Sequence, residues 1–313
     1  MSPEIVTAYY LCHGHWTVNP RQLEDDFRDM ADTGFTAVAF SFSESEMRYS
    51  RRAFELQVKL AKKHGLRAFV IPSRLGGRFA GAPFMASWWL ASHPRCVVPG
   101  SESWPVACLE SREFVDWITG FMTTLVGDYD LDGVIWDEPK SVDQVSAHPE
   151  TVARFGHPST PEEAQESFAE FLGTLTDRCL AIRPNLAFTL FAQETDGRRF
   201  IDRASRLPGI AYFGYDGRLA DHSYFHEPPV REKRLMHVWD RMLRECAAAG
   251  KKSFALVENM LMPSSVVDAY ERALGKFLGA QRVDHLSLYY YGHNNEDPER
   301  VQEITRRLMR KHL

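Results

Sequence analysis

Leu131-Asp132-Gly133-Val134-Ile135-Trp136-Asp137-Glu138-Pro139 is the stretch whose reading decides the fold. A β-forming run, Gly133–Asp137, passes straight into two adjacent carboxylates and is stopped by proline, which cannot extend a strand ladder. Beyond a connection of about Pro139–Pro161, Phe168, Phe171, Leu172, Leu175 and Cys179 recur at helical spacing. Such a stripe gives a helix one apolar face to lay on a sheet. Strand, long connection and amphipathic helix together make one βα unit.

The same unit recurs towards both ends of the chain. Candidate strands are Ile5–Leu11, Thr36–Phe42, Arg67–Pro72, Gly133–Asp137, Leu186–Ala192, Ile210–Gly214, Ser253–Asn259 and Asp284–Tyr290. Helical stripes follow, with Phe114, Trp117, Ile118, Phe121, Met122 and Leu125 after the third strand, and Leu235, Val238, Trp239, Met242, Leu243 and Cys246 after the sixth. Sustained βα alternation implies parallel strands, and eight such units close a barrel. The expectation is therefore an α/β chain forming a single (β/α)8 TIM barrel over residues 1–313. A doubly wound open sheet would usually carry a Gly-rich turn after an early strand, and none occurs here.

Composition narrows the function classes. The 313 residues are 44% hydrophobic and 25% charged, ordinary values for a globular chain. A net charge of −5 without a basic run argues against nucleic acid or a membrane surface as partner. No apolar segment is long enough to span a bilayer, and the N-terminus lacks a basic region followed by an apolar stretch. The five cysteines, Cys12, Cys96, Cys108, Cys179 and Cys246, contain no CxxC pair. These features suit a cytoplasmic enzyme with a small-molecule partner, and they leave the oligomeric state open.

Loop lengths indicate where function lies. Helix-to-strand connections such as Thr33-Gly34, His64-Gly65 and Gly250-Lys251 are short. Strand-to-helix connections are long after strand 3 (about Ser73–Ser111), strand 4 (about Pro139–Pro161) and strand 6 (about Tyr215–Lys233). In a barrel these lie on the C-terminal face, where active sites sit. That face also receives acids. Asp137 and Glu138 end strand 4, and Glu258 ends strand 7 after four apolar residues. Buried carboxylates call for partners. The structural alternatives are a loop cap for the first pair and an ion pair with a neighbouring arginine for Glu258.

A carboxylate pair followed by proline after strand 4, with a glutamate after strand 7, resembles the clan of retaining glycosidases built on (β/α)8 barrels. The resemblance implies Glu138 as acid/base and Glu258 as nucleophile. It covers the barrel frame but only a few motif residues. The sequence departs from the clan at Asp137, where asparagine is usual. An aspartate there would accept from a sugar hydroxyl, or favour a protonated Glu138 by like-charge repulsion. The Asp-Glu pair is also similar to that of β-hexosaminidases, whose substrate-assisted mechanism would make Asp137 catalytic and Glu258 a substrate contact.

Further substrate-binding candidates are His13 and Trp16 after strand 1, Arg74 after strand 3, Gln193 after strand 5, Tyr215 after strand 6, and Tyr291 and His293 after strand 8. Glu194 and the loop tryptophans Trp88, Trp89 and Trp104 add to a polar, aromatic rim, although a long loop also needs its own small core. The expected reaction is hydrolysis of a small oligosaccharide or glycoside, with no cofactor and no metal. Two other readings stand beside it: a metal-dependent sugar isomerase or epimerase gathering Glu138, Glu258, Asp216 and His13 or His293, and a non-catalytic carbohydrate-binding barrel.

Overall fold

The computed structural model describes residues 2–10, 19–82, 84–101, 103–193, 196–220, 235–280, 282–289, 291 and 295–313. Each β-forming run becomes a strand: β1 (Ile5–Tyr10), β2 (Ala37–Phe42), β3 (Arg67–Pro72), β4 (Gly133–Trp136), β5 (Ala187–Ala192), β6 (Ile210–Gly217), β7 (Lys252–Glu258) and β8 (His285–Tyr289). They form a closed barrel in sequence order, with every neighbouring pair parallel and β8 closing on β1. The chain is a (β/α)8 barrel. β6 runs beyond its expected end at Gly214, which matters for the site. Leu11 and Tyr290, expected at strand ends, lie outside the described residues.

The helices are α1 (Pro20–Thr33), α2 (Glu44–Tyr49), α3 (Arg51–Lys63), α4 (Trp88–Ser92), α5 (Arg112–Asp128), α6 (Pro149–Phe155), α7 (Pro161–Ile182), α8 (Arg198–Ala204), α9 (Leu235–Ala249), α10 (Val267–Ala280) and α11 (Pro298–His312). Local chemistry sets their ends. Asn19 caps α1, Pro20 starts it, and Gly34 at φ 106° stops it in the left-handed region. Thr160 and Glu163 form a reciprocal capping box on α7, with Pro161 in its first turn. No helix among the described residues is long and apolar enough to cross a membrane. Cys96, Cys108, Cys179 and Cys246 are buried free thiols, and Cys12 is outside the described residues.

Two packed regions follow from strand alternation. The outer one joins the sheet to the helices. The inner one fills the barrel with Ile5, Tyr9, Phe69, Ile71, Ile135, Phe191, Tyr212, Phe254 and Leu256, among others. Gly133 makes room for this filling, since a Cβ there would lie 2.2 Å from Phe69 Cε1. At the centre, His285 is fully buried between Thr7 Oγ1 (2.8 Å) and Thr189 Oγ1 (3.1 Å). Burial pushes its imidazole down to about 3, so the ring is neutral. The barrel is plugged by side chains.

Candidate active site

Alternation decides which strand-end residues reach the mouth. On β4, Ile135 belongs to the inner packing, and Asp137, one residue beyond the strand, is only 4% exposed and acts electrostatically on the inward-facing Tyr9. On β7, Leu256 faces in and so does Glu258, at 3%. On β6, Tyr212 faces in, and the same parity brings Asp216 inward beside β7, where it pairs with Leu256. Three strands thus deliver carboxylates to one rim.

Glu138 leaves the strand by a different route. Its φ of 35° lies in the left-handed region that non-glycine residues avoid, and Pro139 follows directly. The turn carries its side chain towards β5, where Gln193 Nε2 donates to Oε1 at 2.6 Å. Lys140 Nζ donates to Oε2, also at 2.6 Å. The other non-glycine residues at positive φ are Arg74, Ser141 and Leu261. All follow β3, β4 or β7, so the backbone strain among the described residues gathers on the C-terminal rim, as functional sites often require.

The loop after β3 braces this turn. Arg78 is buried and donates from Nε to the Ala107 carbonyl (2.8 Å) and from Nη1 to the Ser141 carbonyl (2.9 Å). Its own carbonyl accepts from the Lys140 N–H at 2.9 Å. Burial holds the guanidinium down at about 10, still charged at neutral pH.

Glu258 has an arginine partner, one of the alternatives its burial left open. Arg218, 1% exposed and just past β6, donates from Nε to Glu258 Oε2 at 3.1 Å. A buried guanidinium at this distance orients the carboxylate and compensates the cost of burying it. Asp196 is a further acid that sequence reasoning missed. Burial raises it to about 6, against lowering by the Gln193 N–H that it accepts and by the Lys140 charge. The only sequence signal for it is an Asp-Gly pair after strand 5.

Several sequence candidates go elsewhere. Tyr215 was expected at the rim, but it sits within the longer β6 and points outwards, where its hydroxyl donates to Glu245 Oε2 of α9 at 2.6 Å. Tyr291 also packs in the outer region, against Phe35, with its hydroxyl accepting from Gln302 of α11 at 2.9 Å. The tyrosine of this segment that turns inward is Tyr289, in edge contact with Tyr9. Arg74 donates to the Gly81 carbonyl and lies over the exposed ring of Phe84, itself stacked on Trp104. That stack is an aromatic platform on the β3 loop. Trp89 instead stacks on His93 and on Trp117 of α5, against the outer core. His13, Trp16, Glu194 and His293 lie outside the described residues.

Among the described residues, no group of three or more His, Cys, Asp or Glu side chains is arranged to hold a metal ion. Two surface grooves, of about 670 and 350 Å³, lie outside the barrel along α7, α8 and α9. Their walls are ion-paired, with Arg199 and Arg203 on Glu166 and Arg198 on Asp202. None of the strand-end carboxylates lines them. The rim holds the inward-facing acids, and it is the better candidate site.

Known structures share this architecture. A β-galactosidase from Halorubrum lacusprofundi superposes with a TM-score of 0.68 at 10% identity, over 98% of this chain and 58% of its own. A β-galactosidase from Rahnella sp. R3 gives 0.67 at 11%, over 100% and 56%. The catalytic domain of a β-amylase from Paenibacillus polymyxa gives 0.59 at 9%, over 92% and 93%. Apart from that domain, the chain spans about 41% to 59% of the length of these and other matching glycosidases, including α-galactosidases and an α-L-fucosidase. No family model matches the sequence, and no curated protein matches it. At such identities the likeness is one of fold.

Proposed function

We propose that residues 1–313 form one catalytic barrel that hydrolyses glycosidic bonds of a small oligosaccharide or glycoside. The observation that carries this reading is the pair of glutamates ending β4 and β7, each set at the rim against a cationic side chain. Glu138 is the acid/base and Glu258 the nucleophile. Glu258, oriented by Arg218, attacks the anomeric carbon as Glu138 protonates the leaving oxygen. Glu138 then takes a proton from the water that releases the sugar. Gln193 orients Glu138 through Oε1, and the Lys140 ammonium must swing off Oε2 for the proton to reside there. Substrates of the matching glycosidases are consistent with this class, and the reading needs no metal or cofactor.

One observation favours a second mechanism. Asp137 stands beside Glu138 and is nearly fully buried. In a substrate-assisted hydrolysis Asp137 would orient a 2-acetamido group, Glu138 would act as acid, and the Glu258–Arg218 pair would serve binding. Activity confined to N-acetylhexosaminides would select it. The metal-dependent isomerase reading has less support, because the Arg218 guanidinium occupies the electrostatic place beside Glu258 that a divalent cation would need. Replacement of Glu138 or Glu258 by glutamine, assayed on aryl α- and β-glycosides with and without EDTA, tests the proposal.

A further inference from the structure

Tyr9 and Tyr10 are adjacent on β1 and have opposite fates. Tyr10 points to the helices and donates to Asp26 Oδ2 of α1 at 2.7 Å. Tyr9 points into the barrel, is wholly buried, and its ring makes an edge contact with Tyr289. Among the described residues its hydroxyl has no hydrogen-bond partner. Buried hydroxyls nearly always find one, so an orphan in an otherwise filled barrel calls for an explanation.

The surroundings supply it. Asp137, Asp216 and Glu138 all act electrostatically on this phenol, and with burial they push its ionisation well above the usual tyrosine range. Tyr9 is therefore a fixed proton donor, and Asp137 and Asp216, whose charges it senses, are acceptors. An atom seated among them must accept from Tyr9 and donate to a carboxylate. A hydroxyl group does both. An ammonium cannot accept, and a carboxylate or phosphate would be repelled by the surrounding acids.

We propose that the Tyr9 hydroxyl is the floor contact of the substrate site, donating to one hydroxyl of a neutral sugar that in turn donates to Asp137 or Asp216. This rests on the carbohydrate reading above and deepens it, because it selects neutral sugars over sugar acids and sugar phosphates. Tyr9 would then be a specificity-determining residue held without a partner until ligand arrives. Sites that demand a ligand hydroxyl in this way discriminate strongly against analogues lacking it.

The test is thermal unfolding of the full chain, wild type and Tyr9→Phe, alone and with D-glucose, D-galactose, D-mannose, D-xylose, N-acetyl-D-glucosamine or D-glucuronate. Removing an orphan hydroxyl should raise the Tm of the free protein, by roughly 2 °C. At least one neutral sugar should stabilise the wild type, with that stabilisation lost in the variant and its affinity reduced about tenfold. Glucuronate should have no effect. A free variant less stable than wild type overturns the proposal, because the hydroxyl would then have a resident partner such as a structural water. Equal sugar stabilisation of both proteins overturns the Tyr9 assignment alone. Stabilisation by glucuronate as large as by a neutral sugar overturns the charge selection. A wild type indifferent to every neutral sugar overturns the carbohydrate reading and this proposal with it.

Discussion

Arg218 and Glu258 are each almost fully buried, and their energetics are those of a pair, not of two independent residues. Arg218→Met removes the guanidinium from beside a buried carboxylate and should destabilise the fold by about 3–5 kcal/mol, measured by urea unfolding. A loss below about 1 kcal/mol would mean that Glu258 is solvated or neutral, and would remove its claim to be a fixed nucleophile. Asp196 offers a contrasting case. Its folded value, about 6, lies above that of an unfolded aspartate, so the native state binds the proton more tightly and stability falls as pH rises through that window. Asp196→Asn should raise stability at pH 8 by up to about 3 kcal/mol, with little gain at pH 4. An equal effect at both pH values would contradict the buried-acid account. At this scale the sequence was only partly legible. It singled out Glu138 and Glu258 as candidates, and it offered an ion pair with an unnamed arginine as one reading of Glu258, the place that Arg218 takes. It could not separate Tyr9 from Tyr10, because an apolar strand with tyrosines at consecutive positions carries no signal for its inward parity.

Strand ends govern which residues an element presents. β6 was read as ending at Gly214, which made Tyr215 a loop residue at the rim. Because the strand continues to Gly217, Tyr215 takes the outward parity and Asp216 the inward one. The outward packing of Tyr291 has the same origin, since β8 ends at Tyr289 and parity cannot be carried past it. Element existence was legible because hydrophobic periodicity extends over many residues. End points were not, because they depend on pairing with a neighbouring strand. His285 on β8 is a prediction at this scale. Its folded value, about 3, is below that of an unfolded histidine, so the unfolded chain takes up the proton first on acidification. Its contribution is intact above about pH 6.5 and is lost progressively towards pH 3. Between pH 6 and 4, His285→Asn should flatten the decline in unfolding free energy by about 1.4 kcal/mol per pH unit. An unchanged slope would show that the imidazole is already protonated or exposed in the native protein.

Over the whole molecule, the barrel is plugged by side chains, and the rim at its C-terminal end carries the proposed site. Inner side chains and His285 fix the strands, and the long loops after β3 and β4 lock together through Arg78. Charge concentrates where the strands end. The alternation of βα units made the barrel readable from the sequence, whereas the geometry between loops was not, since it rests on contacts such as Arg78 with Ser141 far apart in the chain. The most direct measurement of the central claim is release of aglycone from aryl α- and β-glycosides by the wild type, Glu138→Gln and Glu258→Gln, each with and without EDTA. The account predicts chelator-insensitive hydrolysis of at least one glycoside, reduced by roughly a thousandfold or more in either variant with folding intact. Wild-type rates in both variants, or turnover that EDTA abolishes, would contradict it.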